Sequence, residues 1–142
     1  DDWFLKGFGN MKGTPSVNKK DISRRIFPIP TYALQANPKI DAVLAAGPHV
    51  CNAAVKAIED VGADIHLSCF DMDPDVIKNI KAGKVKYTID QQQRLQGYMP
   101  IIVLHLYNTN AGMLPGANIP SGPGFVDASN AGPVESQAGV NR

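Results

Sequence analysis

The stretch Cys69–Tyr98, CFDMDPDVIKNIKAGKVKYTIDQQQRLQGY, decides the fold. It reads as strand, capped helix, strand, polar turn and helix. Ile65–Phe70 is a short apolar strand that runs into Asp71. Asp73 then caps a helix with Pro74 at its first position, Asp75 in its first turn and Gly83 just past its end. Val76, Ile77 and Ile80 supply the apolar stripe of that helix. Val85–Ile89 is the next strand, followed at once by Asp90-Gln91-Gln92-Gln93. In an open parallel α/β sheet, ligands bind in the crevice outside the carboxyl ends of the strands. A carboxylate at one such end and an amide at the next suit a hydroxyl-rich ligand.

Outward from this core the same alternation continues. A strand over Ala42–Ala46 leads through Gly47-Pro48 into a helix near His49–Asp60. The stripe of that helix is Val50, Ala53, Ala54, Ala57, Ile58 and Val61, closed by Gly62. Beyond the glutamines, Leu95, Met99, Ile102, Val103 and Leu106 mark a helix near Arg94–Tyr107. Thr31–Ala36 reads as the end of a helix stopped by Asn37-Pro38. The expected fold class is therefore α/β, an open parallel sheet with flanking helices joined by right-handed crossovers. Residues 1–30 stay unassigned and irregular, residues 31–110 form the α/β lobe, and residues 111–142 form an extended tail. That tail is rich in Gly and Pro, with one short strand near 125–126.

The segments NPKIDAVLAAG (37–47), FDMDPDVIKNIKAGK (70–84), TIDQQQRLQGY (88–98) and GANIPSGPGFVDASNA (116–131) carry a resemblance. In order and spacing they resemble the C-terminal part of a periplasmic sugar-binding protein of the ribose-binding type, the solute receptor of an ABC importer. The resemblance runs from about Thr31 to Ala131 and implies one lobe of a type I periplasmic binding protein. By position Asp71 resembles the family's sugar-binding aspartate and Gln91 its sugar-binding glutamine. Where many members carry Asn-Asp at the end of the strand before Ile65–Phe70, this chain has Gly47-Pro48, which argues against simple ribose specificity. The implied ligand is a monosaccharide-like small molecule, the implied partner an ABC permease of the inner membrane, and the implied location periplasmic or secreted. A complete receptor of this type needs about twice the length, so a fragment or single-lobe form is expected, starting without a signal peptide at Asp1-Asp2-Trp3. Half a clamp leaves one rim open, which favours a homo-oligomer or a companion chain.

Composition agrees with a binding module. The chain has 142 residues, is 44% hydrophobic and carries a net charge of +1. That is enough to bury one sizeable core, without the field expected of a nucleic-acid binder. No apolar run approaches the ~20 residues of a membrane-spanning helix. The expected site is Asp71 and Gln91, with Gly47, His49 and Phe70 beside them. Asp71 has no role as a helix cap, whereas Asp73 has one. Phe70 offers a stacking face for a sugar ring, although strand alternation would equally turn it inward. His49 faces the cleft or simply starts a surface helix.

Other motifs are weaker. The glycines at 7, 9 and 13 lack the preceding strand a nucleotide loop requires. Lys19, Lys20, Arg24 and Arg25 read as a solvated loop. His66 and His105 read as structural and show no metal-ligand spacing. Asp71 and Asp73 are too few carboxylates for calcium, so no metal and no cofactor is expected. A cysteine nucleophile with His49 as base would lack an orienting group and an oxyanion hole, so no enzyme is expected. Cys51 and Cys69 fall near one edge of the sheet, where a disulfide is conceivable in an oxidising compartment. Connectivity cannot be read from sequence, and two buried free thiols acting as small apolar residues is the preferred reading. The alternative to sugar binding is an interaction protein that uses the lobe for self-association.

Overall fold

The computed structural model describes residues 28–112 and 116–140. Helix α1 (Pro28–Ala36) leads to strand β1 (Ala42–Ala45), helix α2 (Pro48–Val61), strand β2 (His66–Phe70), helix α3 (Pro74–Lys81) and strand β3 (Tyr87–Asp90). Helix α4 (Gln93–Thr109), strand β4 (Gly124–Asp127), the short helix α5 (Ala131–Val134) and a 3₁₀ turn (Glu135–Gln137) complete the order. The sheet order is β1-β2-β3-β4. The first three strands pair in parallel, with Ala45 opposite Cys69 and Cys69 opposite Thr88. β4 returns antiparallel to β3 and pairs Val126 with Thr88. The three strands expected to run parallel do so, and the short strand near 125–126 makes the sheet mixed at one edge.

Local chemistry sets the boundaries. Asp73 accepts the backbone N–H of Val76 at 2.8 Å and opens α3, with Pro74 in the first turn, where no intrahelical N–H partner is needed. Gly62 closes α2 at φ 68°, and its N–H returns to the carbonyls of Ile58 and Glu59. Helices α2 and α3 fall where the capping signals place them, whereas α1 ends at Ala36 but begins at Pro28, inside the stretch left unassigned. β3 begins two residues later than expected. Val85 N–H turns back to the Asn79 carbonyl at 3.2 Å, and Lys86 N–H bonds the Leu67 carbonyl at 2.8 Å.

Alternation along the strands separates two faces. Ala45, Leu67, Cys69, Thr88 and Val126 face the core, which is completed by Cys51, Ala54 and Val55 of α2 and Val76, Ile77 and Ile80 of α3. Each fully buried Leu, Ile or Val contributes about 1.5–3 kcal/mol relative to an exposed one. On the opposite face Leu44 and Phe125 are exposed and Phe70, Tyr87 and Ile89 only half-buried. Tyr87 and Phe125 meet edge-to-face there at 5.6 Å between ring centres.

The C-terminal segment departs from the extended tail that its Gly and Pro content predicted. Ala131, Val134 and Ala138 are buried in the core. Their small size lets the backbone come close, and a Cβ on Gly139 would sit 3.2 Å from Pro74 Cδ. Lys81 and Glu135 pair at 3.0 Å on the outside of this contact. At the end of β4 the Ser129 hydroxyl, then its N–H, hold the Asp127 carboxyl below its ordinary range. The glycine run at 7–13 and the basic residues at 19–25 lie outside the described residues.

Cys51 and Cys69 form a disulfide, against the reading of two free thiols. The register explains it: Cys69 lies opposite Ala45, and the turn at Gly47 brings the first turn of α2 back over that position, with the two Cα atoms 5.9 Å apart. Both cysteines are fully buried. The bridge closes a loop of 18 residues, for which constraint of the unfolded chain is worth about 3 kcal/mol. The Cys51→Ala/Cys69→Ala double variant is therefore expected to lose about 3 kcal/mol in urea unfolding. An unchanged midpoint and slope would contradict the bridge.

Candidate functional site

The parallel register places the candidate residues on one rim. Ala45, Cys69 and Thr88 lie level in adjacent strands, so the residues two positions further on, Gly47, Asp71 and Asp90, share the carboxyl edge. Gly47 adopts φ 137° and leaves open space where a side chain would stand, and its carbonyl accepts the N–H of Cys51 at 3.0 Å. His49 follows in the first turn of α2 and is exposed.

Asp71 leaves β2 in the left-handed region, φ 62°. Such a conformation costs a residue other than glycine about 1–2 kcal/mol, and aspartate is among the types that accept it. Its backbone is held from β3: its N–H bonds the Ile89 carbonyl at 2.8 Å, and its carbonyl accepts the hydroxyl of fully buried Thr88. Its Oδ2 accepts the side-chain Nε2–H of Gln91 at 2.9 Å. Its Oδ1 is buried with no partner among the described residues. A carboxylate oxygen in that state costs about 1–3 kcal/mol or more until a donor arrives. Asp71 and Gln91, both singled out from sequence, are thus joined directly, and Asp71 keeps one buried acceptor without a partner among the described residues.

The next turn is equally constrained. Asp90 is buried, and its Oδ1 accepts the Gln92 N–H at 2.8 Å. Gln92 is itself left-handed at φ 56° and starts α4. Gly122 passes so close that a Cβ would lie 2.9 Å from the Asp90 carbonyl oxygen. Beside Asp71, Asn52 of α2 donates to the Asp73 carboxylate at 3.1 Å, and Asn79 donates to Asn52 Oδ1 at 3.3 Å. This chain of amides locks α2 to α3 behind the rim.

Phe70 lies half-buried on the sheet face opposite Cys69, level with Ile89, rather than in the core. His66, read from sequence as structural, opens β2 as an exposed residue. The Asn52–Asp73 pair, the Thr88 hydroxyl and the buried Asp90 escaped the sequence reading. Only the unbroken polar run at 90–93 marks any of them. Among the described residues no group of three His, Cys, Asp or Glu side chains is placed to hold a metal ion.

Comparison with known proteins gives this geometry a family. Residues 31–110, more than half of the chain, match the model for the periplasmic binding protein domain. The chain belongs to that family. Its members are substrate-binding proteins of transport systems, and the lobe with its mixed, mainly parallel sheet is theirs. A xylose/arabinose-binding protein of Sulfolobus acidocaldarius is 36% identical over 72 residues, 51% of this chain and 18% of that one. A carbohydrate transporter of Acidothermus cellulolyticus, solved with myo-inositol, superposes with a TM-score of 0.75 at 31% identity, over 83% of this chain and 42% of that one. A periplasmic solute-binding protein of Actinobacillus succinogenes, solved with D-allose, gives 0.64 at 29% identity, over 77% of this chain and 38% of that one. The chain therefore spans less than half the length of these solved relatives.

The unpaired acceptor has a measurable consequence. Asp71→Asn keeps a residue tolerant of the left-handed backbone and removes the unpaired charge. It is expected to stabilise the free chain by about 1 kcal/mol in urea unfolding. A loss of stability would mean that Asp71 Oδ1 already has a donor.

Proposed function

We propose that this chain is a sugar-recognising lobe of a solute receptor for ABC-type import. The observation that carries this reading is the orphaned Oδ1 of Asp71, held beside Gln91 at the carboxyl edge of the sheet. An ionised carboxylate needs donors, and the hydroxyls of a neutral sugar or cyclitol supply them. A charged acceptor makes the stronger hydrogen bond and rejects any analogue lacking the hydroxyl, because the carboxylate then stays unpaired. The xylose and arabinose, D-allose and myo-inositol named for the relatives share vicinal hydroxyls and no charge. The ligand proposed is of that class, with the ring seated at Asp71 and Gln91 and the turn at Gly47 leaving it room. His49 and Phe70 border the same rim.

The reading extends to the rest of the receptor. Helix α4 has no buried residue, and Tyr98, Ile101, Leu104, Leu106 and Tyr107 are exposed. The stripe predicted from Leu95 to Leu106 is at best half-buried. A helix that is apolar on nearly every side belongs in an interior. The proposed cover is a second α/β lobe, which would also supply the other wall of the pocket. The closed pair would then dock on a membrane permease. A buried disulfide is at home in an oxidising compartment, which supports a location outside the cytoplasm.

Binding is tested by titrating the chain with D-xylose, D-allose and myo-inositol under ligand-observed NMR and calorimetry. Weak, saturable binding is expected, and Asp71→Ala should weaken it by about 1.5–3 kcal/mol, roughly ten- to 150-fold. Unchanged affinity in that variant would remove Asp71 from the site.

A second reading rests on α4 alone. Its exposed apolar surface supports an interaction protein that self-associates without any sugar. Under either reading a dimer, a larger assembly or a companion chain is expected in place of a free monomer. Light scattering that gives a stable monomer at high micromolar concentration would defeat both claims about this surface. Self-association that persists while no sugar binds would favour the second reading.

A further inference from the structure

Gln96 lies outside the rim, one turn into α4, and its N–H bonds the Gln92 carbonyl at 3.1 Å. Side chains on a helix lean toward its N-terminus, and that of Gln96 reaches back to the site. Its Nε2 donates to the Gln91 backbone carbonyl at 2.8 Å, to Gln91 Oε1 at 3.4 Å and to Ser121 Oγ at 3.1 Å. One amide thus holds the chain leaving β3 and the chain returning to β4.

We infer that Gln96 is a positioning residue for the ligand site, resting on the sugar-binding reading above. A glutamine amide can present nitrogen or oxygen in either direction, and its partners choose. Gln91 meets an acceptor, Asp71 Oδ2, on one side and a donor, Gln96 Nε2, on the other. The two contacts select the same orientation. Gln91 then spends a hydrogen on Oδ2, and Oδ1 remains the acceptor offered to a hydroxyl. Reversal of the Gln91 amide would set its oxygen against the Asp71 carboxylate, two acceptors facing each other. Ser121 fixes Gln96 in turn, so the returning segment helps to set the chemistry of a site it does not enter.

Two variants separate this role from packing. Gln96→Met keeps the length and removes the donor; Gln96→Glu replaces the donor with an acceptor. Gln96 is exposed and lies outside the core, so both should fold, as the backbone amide spectrum of α2 and α3 reports. In the unliganded chain, ¹⁵N NMR should show the Gln91 side-chain amide shifted from the free-glutamine position and protected from solvent exchange. Both variants should move it toward the free position, Gln96→Glu the further. A Gln91 amide signal unchanged in both, or loss of the fold in both, would overturn the positioning role. With the polyols above, Gln96→Met should weaken binding about tenfold at unchanged thermal stability, and equal affinity would overturn it too. A wild-type chain that binds no polyol would defeat the sugar-binding reading, while the amide spectrum still decides the part played by Gln96.

Discussion

The parallel register of β1, β2 and β3 is the constraint on which the rest depends. Because Ala45, Cys69 and Thr88 stand level, three chain reversals begin at the same height. One reversal puts Cys51 over Cys69, so that the bridge can form. Another sends Asp71 back against Thr88 and Ile89. The third turns Asp90 inward and starts α4. A slip of one residue in any strand would move its core side chains to the other face. It would also separate Asp71 from Gln91. Core packing and site geometry are thus one requirement met twice.

What the sequence discloses follows from how local each interaction is. The Asp73 cap, Pro74 and the stripe of α3 lie within a few residues of one another, and they are legible. So are the alternation of strand and helix and the placing of Asp71 and Gln91 at strand ends, because each strand stops where a polar residue stands. The disulfide joins neighbouring units through a register that no local pattern encodes. The orientation of β4 depends on where α4 returns the chain. Ala131, Val134 and Ala138 were hidden for a different reason: small residues among Gly and Pro look like surface, yet small size is what lets this backbone pack on Pro74. The stripe of α4 is legible as a helix, yet the helix has no buried residue. Periodicity cannot say what covers such a stripe.

The candidate site concentrates the costs of the fold. Asp71 and Gln92 hold left-handed backbones, Asp71 Oδ1 lacks a partner, and Gly122 touches the Asp90 carbonyl. Strained residues of this kind persist only where the surroundings over-determine them. Here the Thr88 hydroxyl, the Ile89 carbonyl, the Asp90 carboxylate and the Asn52–Asp73 pair do so. Helices α2 and α3 show the opposite economy, with buried apolar faces and backbone hydrogen bonds closing their ends. On the proposed reading, Asp71 is held by Gln91, Thr88 and Ile89 before a ligand arrives, so little ordering entropy would be lost on capture.

On the proposed sugar-binding reading, the hydrogen bonds at the rim would also set how ligand and α4 influence each other. At the start of α4 the Gln92 N–H bonds the Asp90 carboxylate, and Gln96 donates to the Gln91 carbonyl and to Ser121 Oγ on the returning segment. On the proposed reading, a cover placed on α4 would act next to the hydrogen bonds that hold Gln91. Occupation of the site can bias the position of α4 only as far as the ligand prefers one arrangement of those hydrogen bonds. The same differential affinity limits what a cover on α4 does to the ligand, because coupling between two sites is reciprocal. In this lobe the hydrogen bonds from Gln96 are the physical link through which that coupling would pass.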